Sequence, residues 1–172
     1  MVTTDEQRTG TTARAVAETV TDPELPMLTL ADLGVLREVT ETADGVTVSI
    51  TPTYSGCPAM DTMRDDLVHA LRGAGFERVD VRTVLHPPWT TDWITACGRA
   101  RLADAGIAPP GPAPRRPAGP IPVQLHPPQR RVDCPRCGET DTEPVSEFGS
   151  TACRALRRCR ACGEPFDHLK EI

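Results

Sequence analysis

Aromatic side chains are scarce in this sequence. Phe, Trp and Tyr make up 3% of 172 residues, as Tyr54, Phe76, Trp89, Trp93, Phe148 and Phe166, which excludes a large aromatic-rich core. No apolar run approaches the ~18 residues needed to cross a bilayer, so no membrane span is expected. The opening Met1-Val2-Thr3-Thr4-Asp5-Glu6 has neither the basic nor the apolar region of a secretory leader. Basic residues are outnumbered, 19 against 24 acidic, for a net charge of −5. That counts against a wholesale nucleic-acid coat and leaves room only for a local basic patch. There is no internal repeat. A cytoplasmic protein with reduced thiols is expected, where spaced cysteines bind metal or do chemistry rather than form disulfides.

Proline and cysteine are plentiful, at 18 and 7 residues. Nine of the prolines fall between Pro109 and Pro128. Each lacks an N–H and fixes φ, so this stretch builds neither helix nor central strand and reads as an extended spacer of polyproline type. It divides the chain into a first domain over residues 1–108, a Pro-rich linker over 109–131 and a second domain over 132–172. The first domain carries nine basic against sixteen acidic residues, whereas residues 129–172 carry eight of each. The acidity belongs to the first domain.

That first domain has an α+β pattern in the order α-β-β-α-β-α. Thr12–Val20 is a short helix, halted by Asp22-Pro23-Glu24-Leu25-Pro26. Val35–Thr40 and Val46–Ile50 alternate with period two about Asp44-Gly45, which predicts a hairpin. Met60, Met63, Leu67, Ala70 and Leu71 repeat at helical spacing, with Gly73 and Gly75 to close the helix. Val79, Val81 and Val84 mark a third strand. Thr90 or Thr91 is expected to cap a last helix carrying Trp93, Ile94, Ala100 and Leu102, with Gly106 as its stop.

The second domain holds Cys134-Pro135-Arg136-Cys137-Gly138 and Cys159-Arg160-Ala161-Cys162-Gly163. Each CxxC turn aims two thiolates at one point, and Gly supplies the left-handed position after it. Two such turns on facing hairpins give tetrahedral sulfur coordination, so Cys134, Cys137, Cys159 and Cys162 are the expected ligands of a structural zinc β-ribbon. Rubredoxin-like iron or a cluster would use the same ligands. So small a domain lacks the core to fold unaided, and a metal explains its existence. Cys153 reads as a small apolar residue or a spare ligand, and Cys97 as packing. Arg154, Arg157, Arg158 and Arg160 suggest one basic face.

In Thr53-Tyr54-Ser55-Gly56-Cys57-Pro58-Ala59-Met60, Pro58 suits the first helical position, which makes Cys57 the expected N-cap. Free N–H groups and the helix dipole would then favour its thiolate, as nucleophile or as metal ligand. A buried cysteine in a helix cap is the plainer reading. Asp22, Glu24 and Asp32 stand in nearby Pro- or Gly-punctuated loops, each of which could equally be a cap. His86 precedes Pro87-Pro88-Trp89.

Several segments resemble the small α/β domain of SufT-type iron–sulfur assembly proteins. They are Asp22-Pro23-Glu24-Leu25-Pro26, Asp32-Leu33-Gly34, Thr51–Pro58 and Pro87-Pro88-Trp89-Thr90-Thr91-Asp92-Trp93-Ile94. Joined to Ser146-Glu147-Phe148-Gly149-Ser150-Thr151-Ala152-Cys153 and Glu164-Pro165-Phe166-Asp167, they make the whole chain similar to one family, the D subunit (PaaD or PaaJ) of bacterial phenylacetyl-CoA epoxidase. The resemblance covers about residues 12–108 and 132–172. It implies a non-catalytic accessory role in aerobic phenylacetate degradation, in maturation of the iron or iron–sulfur centres of the oxygenase and reductase subunits. It further implies that Cys57 handles transient iron or a cluster with Asp22, Glu24 and Asp32 nearby, and that the second-domain cysteines are ribbon ligands. Arg157, His168 and Leu169 depart from the aromatics expected at those positions. Two other functions fit parts of the sequence: a catalytic thiol enzyme acting on a coenzyme A thioester, and a zinc-ribbon adaptor for nucleic acid. A homo-oligomer stays open.

Overall fold

Thr12 opens the first helix: its hydroxyl accepts from the Ala15 N–H at 3.2 Å, and α1 spans Ala13–Ala17. Asp22 braces the turn that follows, its Oδ1 accepting from the Glu24 and Leu25 N–H groups at 2.8 Å. These details come from a computed structural model that describes residues 12–54, 56–113 and 131–171. The expected linker falls outside the described residues except for 109–113 and 131.

The described residues form two compact units. The first runs to Trp89 and includes Trp93–Gly98. Within it β1 (Leu36–Thr42) and β2 (Gly45–Ile50) pair as the expected hairpin, Thr42 opposite Gly45 and Leu36 opposite Ile50. After α2 (Met60–Gly73), β3 (Val79–Thr83) returns parallel to β2, giving the order β1-β2-β3. Val46, Val48 and Ile50 alternate inward, and with Val81 they share the core with Met63, Leu67 and Leu71 of α2. Glu41 turns its carboxylate to the start of α1, accepting from the Ala13 N–H at 3.2 Å.

The second unit joins Thr90–Asp92 to the chain from Arg99 onward. Its sheet is a meander of β4 (Thr142–Ser146), β5 (Arg154–Cys159) and β6 (Pro165–Leu169), in that order. Ala108 adds to the outer edge of β6, donating to the Asp167 carbonyl at 2.8 Å and accepting from the Leu169 N–H at 3.1 Å. Ala108 and Val132 lie with Cys134, Cys159 and Phe166 in one buried cluster. Both ends of the proline run therefore belong to the ribbon's own core.

The last helix departs from expectation. A 3-10 turn over Thr91–Trp93 comes first, and α3 begins only at Ala96, running to Asp104. Thr95 is the cap: its hydroxyl accepts from the Gly98 N–H at 2.9 Å. Thr91, expected as a cap, is fully buried instead. The apolar spacing of Trp93 and Ile94 reflects packing of a bent segment, which helical periodicity alone cannot distinguish from one continuous helix.

Candidate metal centre and the Cys57 loop

The two knuckles fold alike because their sequences match through Cys-x-x-Cys-Gly-Glu. In the first, the Cys134 N–H donates to the Glu139 carbonyl at 2.9 Å and the Gly138 N–H to the Cys134 carbonyl at 2.8 Å. In the second, Cys159 and Gly163 make the same pair of bonds, with the Glu164 and Cys159 carbonyls, at 2.9 and 3.0 Å. Gly138 and Gly163 close these turns at φ 75 and 76, a conformation other residues rarely adopt.

The knuckles converge. All four sulfurs lie within 4.8 Å of one another, with Cys134–Cys162 at 3.8 Å and Cys137–Cys159 at 3.6 Å. A disulfide needs about 2.05 Å, so these are separate thiols. A tetrahedron with metal–sulfur bonds of about 2.3 Å has edges of about 3.8 Å, so the set fits one zinc ion. Cys134 and Cys159 are buried, while Cys137 and Cys162 face solvent.

The backbone already favours thiolates here. The Cys162 and Ala161 amides act on the Cys159 sulfur and bring its pKa down to about 7. The Glu139 amide lowers that of Cys137, but desolvation and the three neighbouring thiols outweigh it and push the pKa up to about 12. Four crowded sulfurs cannot all carry unshielded charge, and a divalent cation removes that conflict. With four protein ligands the site is closed, so a bound zinc serves the fold and offers no open position for substrate.

Cys57 lies at a different kind of place. Strand register puts Leu36, Ile50 and Thr83 at one end of the first sheet. The Asp32–Gly34 loop before β1, the Thr51–Ala59 loop after β2 and the His86 loop after β3 therefore leave from the same end. Thr51 donates its N–H to the Val35 carbonyl and Val84 to the Ile50 carbonyl, at 3.0 and 2.8 Å, which ties the three together. Cys57 is half-buried, and its N–H closes a turn onto the Tyr54 carbonyl at 3.2 Å.

The capping role expected of Cys57 is not found. The N-cap of α2 is Ala59, which makes no side-chain cap bond, so Cys57 stands two residues outside it. Pro58 is spent on the preceding turn rather than on the first helical position.

The acidic candidates brace loops. Besides the Asp22 bonds above, Asp32 Oδ2 accepts from the Thr29 N–H at 3.2 Å and Oδ1 from the Thr95 hydroxyl at 3.1 Å. Asp32 thus anchors the cap of α3, a link that the sequence signals only through an unassigned Thr. Glu24 is half-buried in the loop that Asp22 holds. Among the described residues the only gathering of three or more metal-ligating groups is the ribbon set, so Cys57, Asp22, Glu24 and Asp32 do not form a second one.

Other readings change as well. Cys97 is exposed, not packed, because α3 starts immediately before it. Cys153 is half-buried, outside the ligand set, with its sulfur 3.0 Å from the Thr151 hydroxyl. The arginines form no common basic face. Arg154 is buried against Asp167, Arg157 donates to the Thr142 carbonyl and hydroxyl, and Arg160 pairs with Glu143 and Asp141. Alternation sets Arg157 on the face opposite Arg154 and Arg158, and carboxylates neutralise Arg154 and Arg160. His168 and Leu169 are buried, with Ala108 bridging to His168 along that edge.

Two family models match the chain: "Iron-sulfur cluster assembly protein" over residues 11–84 and "PaaD zinc beta ribbon domain" over residues 118–170. An Escherichia coli (strain K12) chain, designated the D subunit of 1,2-phenylacetyl-CoA epoxidase, is 46% identical over 158 residues, 92% of this chain and 90% of that relative. An Fe-S protein maturation auxiliary factor of Porphyromonas gingivalis (strain ATCC BAA-308 / W83) is 36% identical over 81 residues, 45% of this chain and 74% of its own length. A crystal structure of a domain of unknown function from Bacillus anthracis covers 52% of this chain and 87% of that one, at 26% identity and TM-score 0.48.

Proposed function

The chain belongs to the family of the 1,2-phenylacetyl-CoA epoxidase D subunits, and from that premise we propose that it is an accessory maturation subunit of such an epoxidase in aerobic phenylacetate degradation. On this reading it assists assembly of the iron or iron–sulfur centres of the oxygenase and reductase subunits, in the cytoplasm, and does not epoxidise the ring. The observation that carries the reading is the union in one chain of an iron–sulfur assembly match containing Cys57 with a ribbon match containing four converging thiols. The division of labour follows the domains 1–108 and 132–172.

In the proposed cycle the Cys57 thiol loses its proton to solvent and its sulfur binds an iron atom of the cargo. One thiolate cannot complete the coordination of iron, so the remaining positions belong to ligands from outside this chain. That is the property of a carrier, because a client cysteine can displace Cys57 by ligand exchange without any change of oxidation state. Asp22 and Asp32 hold the neighbouring loops in place. The zinc ribbon fixes the second unit and docks the client. Among the described residues no helix is long and apolar enough to cross a membrane.

The test is a Cys57→Ser variant co-expressed with the oxygenase and reductase subunits. Their iron content and epoxidase activity should both fall several-fold, and unchanged values in both would sink the assigned role. For the alternative, a catalytic thiol enzyme acting on a coenzyme A thioester, His69 offers no support: it lies nine residues beyond Met60, about 13 Å along the helix. Turnover of phenylacetyl-CoA by the purified protein alone would revive it.

A further inference from the structure

Arg37 is the one residue of β1 that the ladder skips. The register passes from Leu36 opposite Ile50 to Glu38 opposite Ser49, and such a bulge re-aims the side chain it frees. It lies at the end of the sheet from which the Cys57 loop leaves. The guanidinium stands 3.5 Å from the centroid of the Trp93 ring. Its Nη1 is 3.5 Å from the Gly34 carbonyl, too long for a strong hydrogen bond, and the residue is exposed, so N–H groups stay available to a ligand. The platform beneath it is closely seated. Gly34 has φ 69, and a Cβ there would meet the Trp93 Cβ at 2.6 Å. On either side of Trp93, the Trp89 indole N–H donates to the Leu33 carbonyl and the Thr95 N–H to the Asp32 carbonyl, each at 2.9 Å.

Among the described residues no carboxylate pairs with Arg37, whereas Arg14, Arg64 and Arg82 pair with Glu18, Asp61 and Asp80. Arg72 and Arg78 lie at the opposite, hairpin-turn end, in a cavity shared with Asp44, Glu77 and Asp80. In a domain with nine basic against sixteen acidic residues, an uncompensated cation at the Cys57 end runs against the prevailing charge. A free iron cation would be repelled by it. Iron held by sulfide and thiolates is the reverse case: its sulfur ligands outweigh the metal, the complex is anionic, and N–H groups can donate to those sulfurs. A guanidinium stacked on an aromatic face keeps its N–H edge for that purpose.

We infer that Arg37, seated on Trp93, selects the cargo of Cys57: an anionic iron–sulfur cluster already ligated by thiolates, rather than a free iron cation. The inference rests on the carrier role proposed above and names its substrate class. One external thiolate leaves the cluster as the Cys57 sulfur binds, with no change of oxidation state, and Arg37 offsets the charge of the complex. The test uses zinc-loaded, full-length wild type, Arg37→Gln, Arg37→Lys and Cys57→Ser under anaerobic conditions. Each is titrated with a preformed iron–sulfur cluster ligated by mercaptoethanol, followed by visible circular dichroism, and separately with ferrous ion alone. Arg37→Gln should bind the cluster about tenfold more weakly or worse at low salt, a gap that narrows as salt rises, while its affinity for ferrous ion does not fall. Arg37→Lys should recover part of the loss, because it keeps the charge. Equal cluster binding by wild type and Arg37→Gln, with Cys57→Ser unable to bind, would overturn the role of Arg37 and leave the carrier reading standing. So would a wild type that binds ferrous ion but not the cluster. Cluster binding retained in full by Cys57→Ser, or a wild type that binds neither probe, would remove the carrier reading and this inference with it.

Discussion

A cysteine does different work according to what its neighbours let its sulfur do. Cys134, Cys137, Cys159 and Cys162 sit on matched turns whose amides point inward, and their number leaves no vacancy around one metal. Replacing Cys159 by Ser should abolish stoichiometric zinc and unfold the ribbon, read by metal analysis and circular dichroism. Cys153→Ser should leave zinc content unchanged, because Cys153 lies outside the set. The convergence of these four thiols was legible in the sequence, since CxxC spacing with a following Gly specifies the turn itself. The surroundings of Cys57 were not. Pro58 fits several turn positions equally well, and only the folded loop shows that Ala59, not Cys57, precedes the helix. The same holds for Cys97, whose exposure depends on where α3 starts.

Elements carry the second set of consequences. Thr95 caps α3 while donating to Asp32, so Thr95→Ala should cost roughly 1 kcal/mol in denaturant stability, with no loss of zinc. At the end of β6, Glu171 accepts from the Gly111 N–H at 3.0 Å and faces His168 at 3.5 Å. Desolvation raises its pKa, but His168 and the Gly111 amide outweigh that and hold it down at about 2, against an ordinary 4.5. A depressed acid stabilises the fold above its unfolded pKa and loses that contribution as pH falls towards the folded one. The stability gap between wild type and Glu171→Gln, measured as a difference in denaturant midpoint, should therefore be open at neutral pH and close between about 4.5 and about 2. Period-two alternation and the Asp44-Gly45 turn made the first hairpin readable, as did the apolar stripe of α2. The single bridging residue Ala108 left no periodic signal at all.

At the scale of the molecule, the proline run was visible from composition, but what it connects was not. Ala108 before it and Val132 after it share the ribbon's core with Cys134 and Cys159. A fragment starting at Val132 should accordingly bind zinc more weakly than one starting at Arg99, by competition against a chromogenic chelator. The scarcity of aromatics also takes on a shape. Three of the six are buried in small cores, Trp93 lies under the Arg37 guanidinium, and Phe148 is held out in solvent. On the proposed function one chain carries two thiol sites of opposite kind, a closed ribbon and a transferable one at Cys57. The decisive measurement is anaerobic purification with iron and zinc analysis of wild type beside Cys57→Ser. Iron should be lost from the variant with zinc retained in full; iron equal in the two proteins, or zinc lost along with it, would rule out separate sites.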